Sequence, residues 1–108
     1  MRVLFDQGTP APIRQALTGH QVHTAYERGW STLKNGEFLT AAEGAGYQVL
    51  VSTDRNLKFQ QNLAARTIGI VVLLTTSWPR IHRKLEAVVG AVNGAKPGSY
   101  VEVPFDDV

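Results

Sequence analysis

"VLVSTDRN", residues 49–56, is an apolar run that stops on an aspartate. Val49, Leu50 and Val51 suit a strand covered on both faces, as strands of parallel sheets are. The chain opens the same way with "RVLFDQG", residues 2–8, where Asp6 follows the apolar run. A third run, "IGIVVLLT" at residues 68–75, reads as a fully buried parallel strand. Helical patterns fill the intervals. Thr9 followed by Pro10 reads as an N-cap and first helical position, with Ile13, Ala16 and Leu17 on one face. "HQVHTA", residues 20–25, is a short strand, and a turn or short helix follows through "YERGW".

Asn35 reads as the cap of a helix over residues 36–45, with Phe38, Leu39, Ala42 and Ala45 facing inward. The strand at residues 47–52 leads to a short helix over 57–64. Ser77 caps the last helix, where Pro79 lies in the first turn and Ile81, Leu85, Val88, Val89 and Val92 recur at helical spacing. "SYVEV", residues 99–103, alternates as an edge strand does. Strands alternating with helices predict a three-layer α/β/α fold around a mostly parallel sheet of about five strands. The 108 residues suit a single domain, with a short acidic tail at 104–108.

Composition narrows the function classes. There are no cysteines, which excludes disulfides and thiolate metal sites. No apolar run approaches the ~20 residues of a membrane span, and the first residues lack the pattern of a secretory signal. The expectation is a cytoplasmic protein without a membrane partner. Net charge is +2, but Glu102, Asp106 and Asp107 crowd the end, and residues 1–99 carry a balance of +5. That balance suits a polyanionic partner, and equally a solvated mixed-charge surface.

The two strand-end aspartates point to chemistry. Parallel strands all end at one edge of the sheet, so Asp6 and Asp54 are expected there together. Crowded carboxylates repel, and a divalent cation lets both stay ionised. Oxygen ligands suit Mg²⁺ or Mn²⁺, which can polarise a phosphate. The structural alternative is that each aspartate only caps its own turn. The other two aspartates of the chain, Asp106 and Asp107, read as a solvated end.

Two families share such an arrangement. The β-α alternation resembles phosphoacceptor receiver domains, with Asp54 after the third strand and Thr75 and Thr76 after the fourth. However, only Asp6 follows the first strand, and Lys96 precedes the last strand instead of following it. The more specific resemblance is to compact PIN-like nucleases. "VLFDQGTPAPIRQAL" looks like their opening, "GHQVHTA" like their second strand, and "NGEFLTAAEGAGYQVLVSTDRNLKF" like their core motif. It covers residues 2 to about 74 and implies a metal-dependent ribonuclease, the toxin of a toxin–antitoxin module. It implies Mg²⁺ or Mn²⁺ as cofactor, and RNA, an antitoxin protein and a homodimer as partners.

By this resemblance Asp6 matches the first metal-ligating acid and Asp54 the acid after the third strand. Asn35 stands where a third acid is usual. Its amide oxygen can ligate a metal but brings no charge. Glu37 either replaces that acid, as a metal-ligating and catalytic residue, or complements the positive end of its helix. Lys34, Arg55 and Lys58 either hold RNA phosphates or serve ordinary solubility, and Asn56 either supports the site by a hydrogen bond or is a turn residue. Trp30 and Trp78 either stack bases or pack under helices. His20, His23 and His82 lack ligand spacing. The second function class is a PIN-like RNA- or protein-binding regulatory module whose metal activity went with the Asn35 change. A receiver-like domain stands third.

Overall fold

The computed structural model describes residues 1–60 and 62–105, apart from the side chains of Asn35 and Gln60. Five strands, β1 (Arg2–Phe5), β2 (Gln21–Thr24), β3 (Val49–Ser52), β4 (Gly69–Leu73) and β5 (Tyr100–Val103), form one sheet in the order β2-β1-β3-β4-β5. Every neighbouring pair is parallel. Four α-helices, α1 (Asn35–Gly44), α2 (Leu57–Gln60), α3 (Trp78–His82) and α4 (Leu85–Asn93), and 3-10 helices at Ala11–Ala16 and Leu63–Ala65 connect them.

Alternation along each strand divides the core between the two faces of the sheet. Val3, Phe5, Val49, Val51, Val71 and Leu73 pack against Ile13, Ile81, Val88 and Val92. Leu4, Leu50, Ile70 and Val72 face the other way, onto Phe38, Leu39, Ala42, Leu57 and Leu63. Helices thus cover both faces, giving the three-layer α/β/α architecture. Both central strands lose all contact with water, so neither needs a polar side. Leu39 and Leu50 are buried to within 2%, and each contributes roughly 1.5–3 kcal/mol by leaving water. No helix among the described residues is long and apolar enough to cross a membrane.

Several local features differ from the sequence reading. Thr9 does not cap a helix. The 3-10 helix Ala11–Ala16 starts after Pro10 without a side-chain cap, and the Thr9 hydroxyl turns inward. The last helix is two, because Lys84 (φ −133°, ψ 38°) leaves the helical region and breaks the backbone ladder. No proline or glycine marks that break in the sequence. Ser77 does cap α3, accepting from the Arg80 amide at 3.5 Å. The segment after β3 is also divided, into α2 and the 3-10 helix Leu63–Ala65. The turn after β2 is closed reciprocally: the Thr24 hydroxyl accepts from the Glu27 amide at 3.1 Å, and the Glu27 carboxylate accepts from the Thr24 amide at 2.9 Å. Phe105, at the start of the acidic end, is 1% exposed and completes the core under α4. Asp106 and Asp107 lie outside the described residues.

Glu43 ties α1 to the start of β4. Its carboxylate takes Arg66 Nη1 at 2.8 Å, the Thr67 amide at 2.6 Å and the Thr67 hydroxyl at 2.9 Å. Burial opposes the charge, but the Arg66 and Thr67 hydrogen bonds outweigh it and hold the carboxyl below its ordinary value. The resulting stability is complete above the unfolded carboxyl's pKa and is lost as pH falls through the lower folded value. Glu43→Ala is expected to cost about 1–3 kcal/mol at pH 7. Urea unfolding of both chains should show that difference shrinking as the pH is lowered below 4.5.

Candidate functional site

The register of β1 and β3 builds the site. Leu4 lies opposite Leu50, and Phe5 opposite Val51. The Asp6 amide extends the pairing by donating to the Val51 carbonyl at 3.3 Å. One step further along the face of Leu4 and Leu50, Asp6 comes abreast of Ser52. Asp54 follows two residues later on the same face. The strand order reverses between β1 and β3, the place where a doubly wound sheet opens a crevice at its carboxyl edge.

Hydroxyl groups hold the Asp6 carboxylate on both oxygens. Thr9 Oγ1 donates to Asp6 Oδ1 at 2.7 Å and lies 2.8 Å from the Val51 carbonyl, which competes for the same proton. Ser52 Oγ donates to Asp6 Oδ2. The same Ser52 oxygen accepts from the Asp54 amide at 3.0 Å, so one side chain bridges both aspartates. Burial pushes the Asp6 carboxyl above its ordinary value. The Ser52 and Thr9 hydroxyls and the Gly8 amide pull it back, and the charge of Asp54 adds a further upward push. Asp54 is less enclosed. Its Oδ1 accepts from the Asn56 amide at 2.9 Å in a local turn, and Oδ2 has no hydrogen-bond partner among the described residues. Asp54 thus caps its own turn, as the structural alternative expects.

The β1 loop must pass close to the end of β3 for this to happen. A Cβ on Gly8 would stand 2.5 Å from Thr53 Oγ1, so a larger residue there forces the Thr53 side chain to shift.

The remaining candidates fall in different places. Lys34 joins Asp6 in lining a cavity of about 320 Å³, together with Gln7, Trp30 and Phe38. Glu37 is exposed and lines a depression with Thr40 and Arg66 that shares Leu33 with the Asp6 cavity. The Asn35 backbone begins α1 behind Lys34, and its side chain lies outside the described residues. Arg55 donates to the Leu74 carbonyl, which ties the loop after β3 to the end of β4. Lys58 is ion-paired with Glu102 at 3.0 Å. Asn56 contributes its backbone amide to Asp54. Trp78 packs on the face of α3 and α4, opposite the Asp6 cavity. Lys96 precedes β5, and its carbonyl lies where a Cβ on Gly69 would meet it, at the amino end of β4 and away from Asp54.

Glu102 is the residue whose place at this edge sequence reasoning missed, counting it only among the acids near the chain end. It lies opposite Val72, which is opposite Ser52, so Asp6, Ser52, Val72 and Glu102 form one row across the sheet. Its carboxylate takes Lys58 Nζ and the Tyr100 hydroxyl at 2.9 Å. Those bonds hold it below its ordinary value, Lys58 contributing most. Desolvation, the bond to Glu102 and the charges of Glu102 and Asp54 push the Tyr100 hydroxyl up to about 12. The alternation of "SYVEV" places Tyr100 and Glu102 on one face, which is the only signal the sequence carried. Among the described residues, no group of three or more His, Cys, Asp or Glu converges as a metal site.

No protein-family profile matches the chain, and neither does any curated protein or solved structure in the comparisons made.

Two predictions test this geometry. Because the Asp6 carboxyl is raised, the native state holds its proton more tightly than the unfolded chain. Stability is present below the unfolded value of 3.8 and falls as pH rises through the folded value. Asp6→Asn removes that penalty. At pH 7 it is expected to unfold at higher urea than the parent, by about 1 kcal/mol, with the gap closing toward pH 4. A loss of stability at pH 7 would instead mark Asp6 as a structural anchor. The second concerns Gly8→Ala, which overfills the loop contact and should cost about 1–3 kcal/mol. Thr53→Ala in the same chain should recover most of it, since the clash is with that hydroxyl alone.

Proposed function

We propose that the protein is a metal-dependent ribonuclease of PIN-like type, hydrolysing RNA phosphodiester bonds at the carboxyl edge of β1 and β3. The observation that carries this reading is the placement of Asp6 and Asp54 at the reversal of strand order, where Ser52 joins the Asp6 carboxylate to the Asp54 backbone amide. A partly buried aspartate with a second one nearby costs stability at neutral pH. Retaining such a group fits a role that needs charge, and a cation between the two would relieve the cost.

The donor set suits a hard ion. The candidate ligands are all oxygens, and Mg²⁺ is commonly held through one or two carboxylates, with waters and substrate phosphate as its other ligands. Two aspartates without a third acid match that mode better than a cage made wholly of protein. When bound, Mg²⁺ or Mn²⁺ supplies Lewis-acid polarisation of a phosphate and activation of a water.

The chain's own groups have separable tasks. Asp6 and Asp54 present carboxylate oxygens as ligands. Thr9 and Ser52 orient the Asp6 carboxylate, leaving each of its oxygens a second lone pair. Lys34 holds a substrate phosphate at the cavity rim. Arg55 and Lys58 are engaged by Leu74 and Glu102, and they make the edge basic without being free hands for RNA. Glu37, in the depression with Thr40 and Arg66, acts with the positive end of α1 rather than as a ligand. The resemblance adds an antitoxin protein and a second copy of the chain as partners.

Incubation with single-stranded RNA and Mn²⁺ is the test. Cleavage is expected with the parent chain and is expected to fall at least about a hundredfold in Asp6→Asn and Asp54→Asn, the scale set by removing a group that stabilises transition-state charge. Glu37→Gln should keep activity within a few-fold. RNA binding without cleavage, unchanged by either aspartate substitution, would support the binding-module reading in place of hydrolysis. Uptake of phosphate from acetyl phosphate on Asp54 would support a receiver.

A further inference from the structure

We propose that the cavity beside Asp6 seats one unpaired nucleobase, with Lys34 on the phosphate attached to the same nucleotide. The proposal rests on the ribonuclease reading and specifies how that site takes its substrate.

The cavity measures about 320 Å³. That is the lower end of the range for small-molecule sites, enough for one flat ring system and too small for a stacked base pair. Its walls are Ala25, Trp30, Leu33 and Phe38, while Gln7 and Lys34 bring polar atoms. A slot with both apolar and polar lining is what a nucleobase requires, since every base has a π-face and polar edges.

Trp30 is held in advance of any ligand. Its ring meets Phe38 edge-on at 6.5 Å and Tyr47 edge-on at 6.0 Å, and the Arg28 guanidinium lies 4.8 Å from its centroid. A fixed indole loses little freedom when a base stacks on it. Charge also fits. Lys34 is exposed and has no ion-pair partner among the described residues, whereas Lys58 is paired. Lys34 lines the same cavity as Asp6, so a phosphate held there stands beside the Asp6 carboxylate. Gln7 offers both a donor and an acceptor, which permits purine or pyrimidine edges. A base buried in this slot must leave its partner strand, so double-stranded RNA is excluded from the site unless it opens.

Trp30 itself reports the test. Trp78 is the only other tryptophan and packs on the opposite face of the sheet. In Trp78→Phe, the indole emission therefore comes from Trp30 alone. Titration with 5′-AMP in EDTA should change that emission saturably. Ribose 5-phosphate, which lacks the base, should leave it unchanged at the same concentrations. Lys34→Ala should weaken 5′-AMP about tenfold, the factor of one charge-assisted contact. Adenosine should bind the parent chain and Lys34→Ala alike. No saturable response to 5′-AMP would overturn the proposal, and so would an equal response to ribose 5-phosphate, which would mark a phosphate site without a base slot. Because EDTA removes any metal, the outcome is separable from hydrolysis. Metal-dependent cleavage lost in Asp6→Asn without 5′-AMP binding sinks the base slot alone. Binding of 5′-AMP without cleavage sinks the nuclease reading and leaves the slot as a nucleotide site.

Discussion

Leu4 lies against Leu50, and the consequences of that one register reach every part of the carboxyl edge. Parallel pairing fixes which residue of β3 stands beside the residue that ends β1. A slip of one residue would turn Ser52 to the other face and leave Asp6 beside Thr53. The observed pairing is enforced by the core, because Leu4 and Leu50 belong to one apolar cluster while Val3, Phe5, Val49 and Val51 belong to the other. The packing of two hydrophobic faces thus positions a polar bridge that contributes nothing to either.

The bridge is an arrangement in tension. Burial and the charge of Asp54 both disfavour the Asp6 carboxylate, while Ser52 and Thr9 stabilise it through hydrogen bonds. Such a balance differs from that at Glu43, where an arginine and a backbone amide compensate the charge fully and the net effect favours the ionised form. It also differs from Glu102, which has Lys58 and Tyr100. Of these three carboxylates Asp6 has hydroxyl and amide partners and no cation beside it. A site built to receive a positive charge from outside has this signature, and so the functional proposal is anchored there and not at the better-satisfied acids.

The basic groups sort themselves by the same logic. Arg55 closes the loop after β3 onto the end of β4, and Arg66 serves Glu43. Lys34 remains with its charge uncompensated among the described residues, at the mouth of the cavity that contains Asp6. Cation, aromatic wall and carboxylate meet there because α1 starts just beyond the carboxyl edge, carrying Lys34 and Phe38 on its first turns.

How much of this was legible beforehand depended on the range of the interaction. Local chemistry was visible: apolar runs at Val49–Val51 and Gly69–Leu73 became central strands, and the Phe38, Leu39 and Ala42 stripe became the buried face of α1. Periodicity carries such information because it depends on neighbours in the chain. Asp6 and Asp54 at one edge also followed from parallel alternation. Thr9 was read as a helix cap because its neighbour is proline, yet its hydroxyl is used by Val51 and Asp6, partners set by strand pairing. Ser52 looked like the end of a strand, and Glu102 was counted only among the acids near the chain end. The amino-acid sequence by itself determined which segments are strands, which are helices, and which edge receives the carboxylates. Only the tertiary structure decided that Ser52 joins the Asp6 carboxylate to the Asp54 backbone amide, that Glu37 lines a depression to which Asp6 does not belong, and that Lys58 is already paired. Those outcomes depend on lateral register and on distances between segments far apart in the chain, which no local pattern encodes.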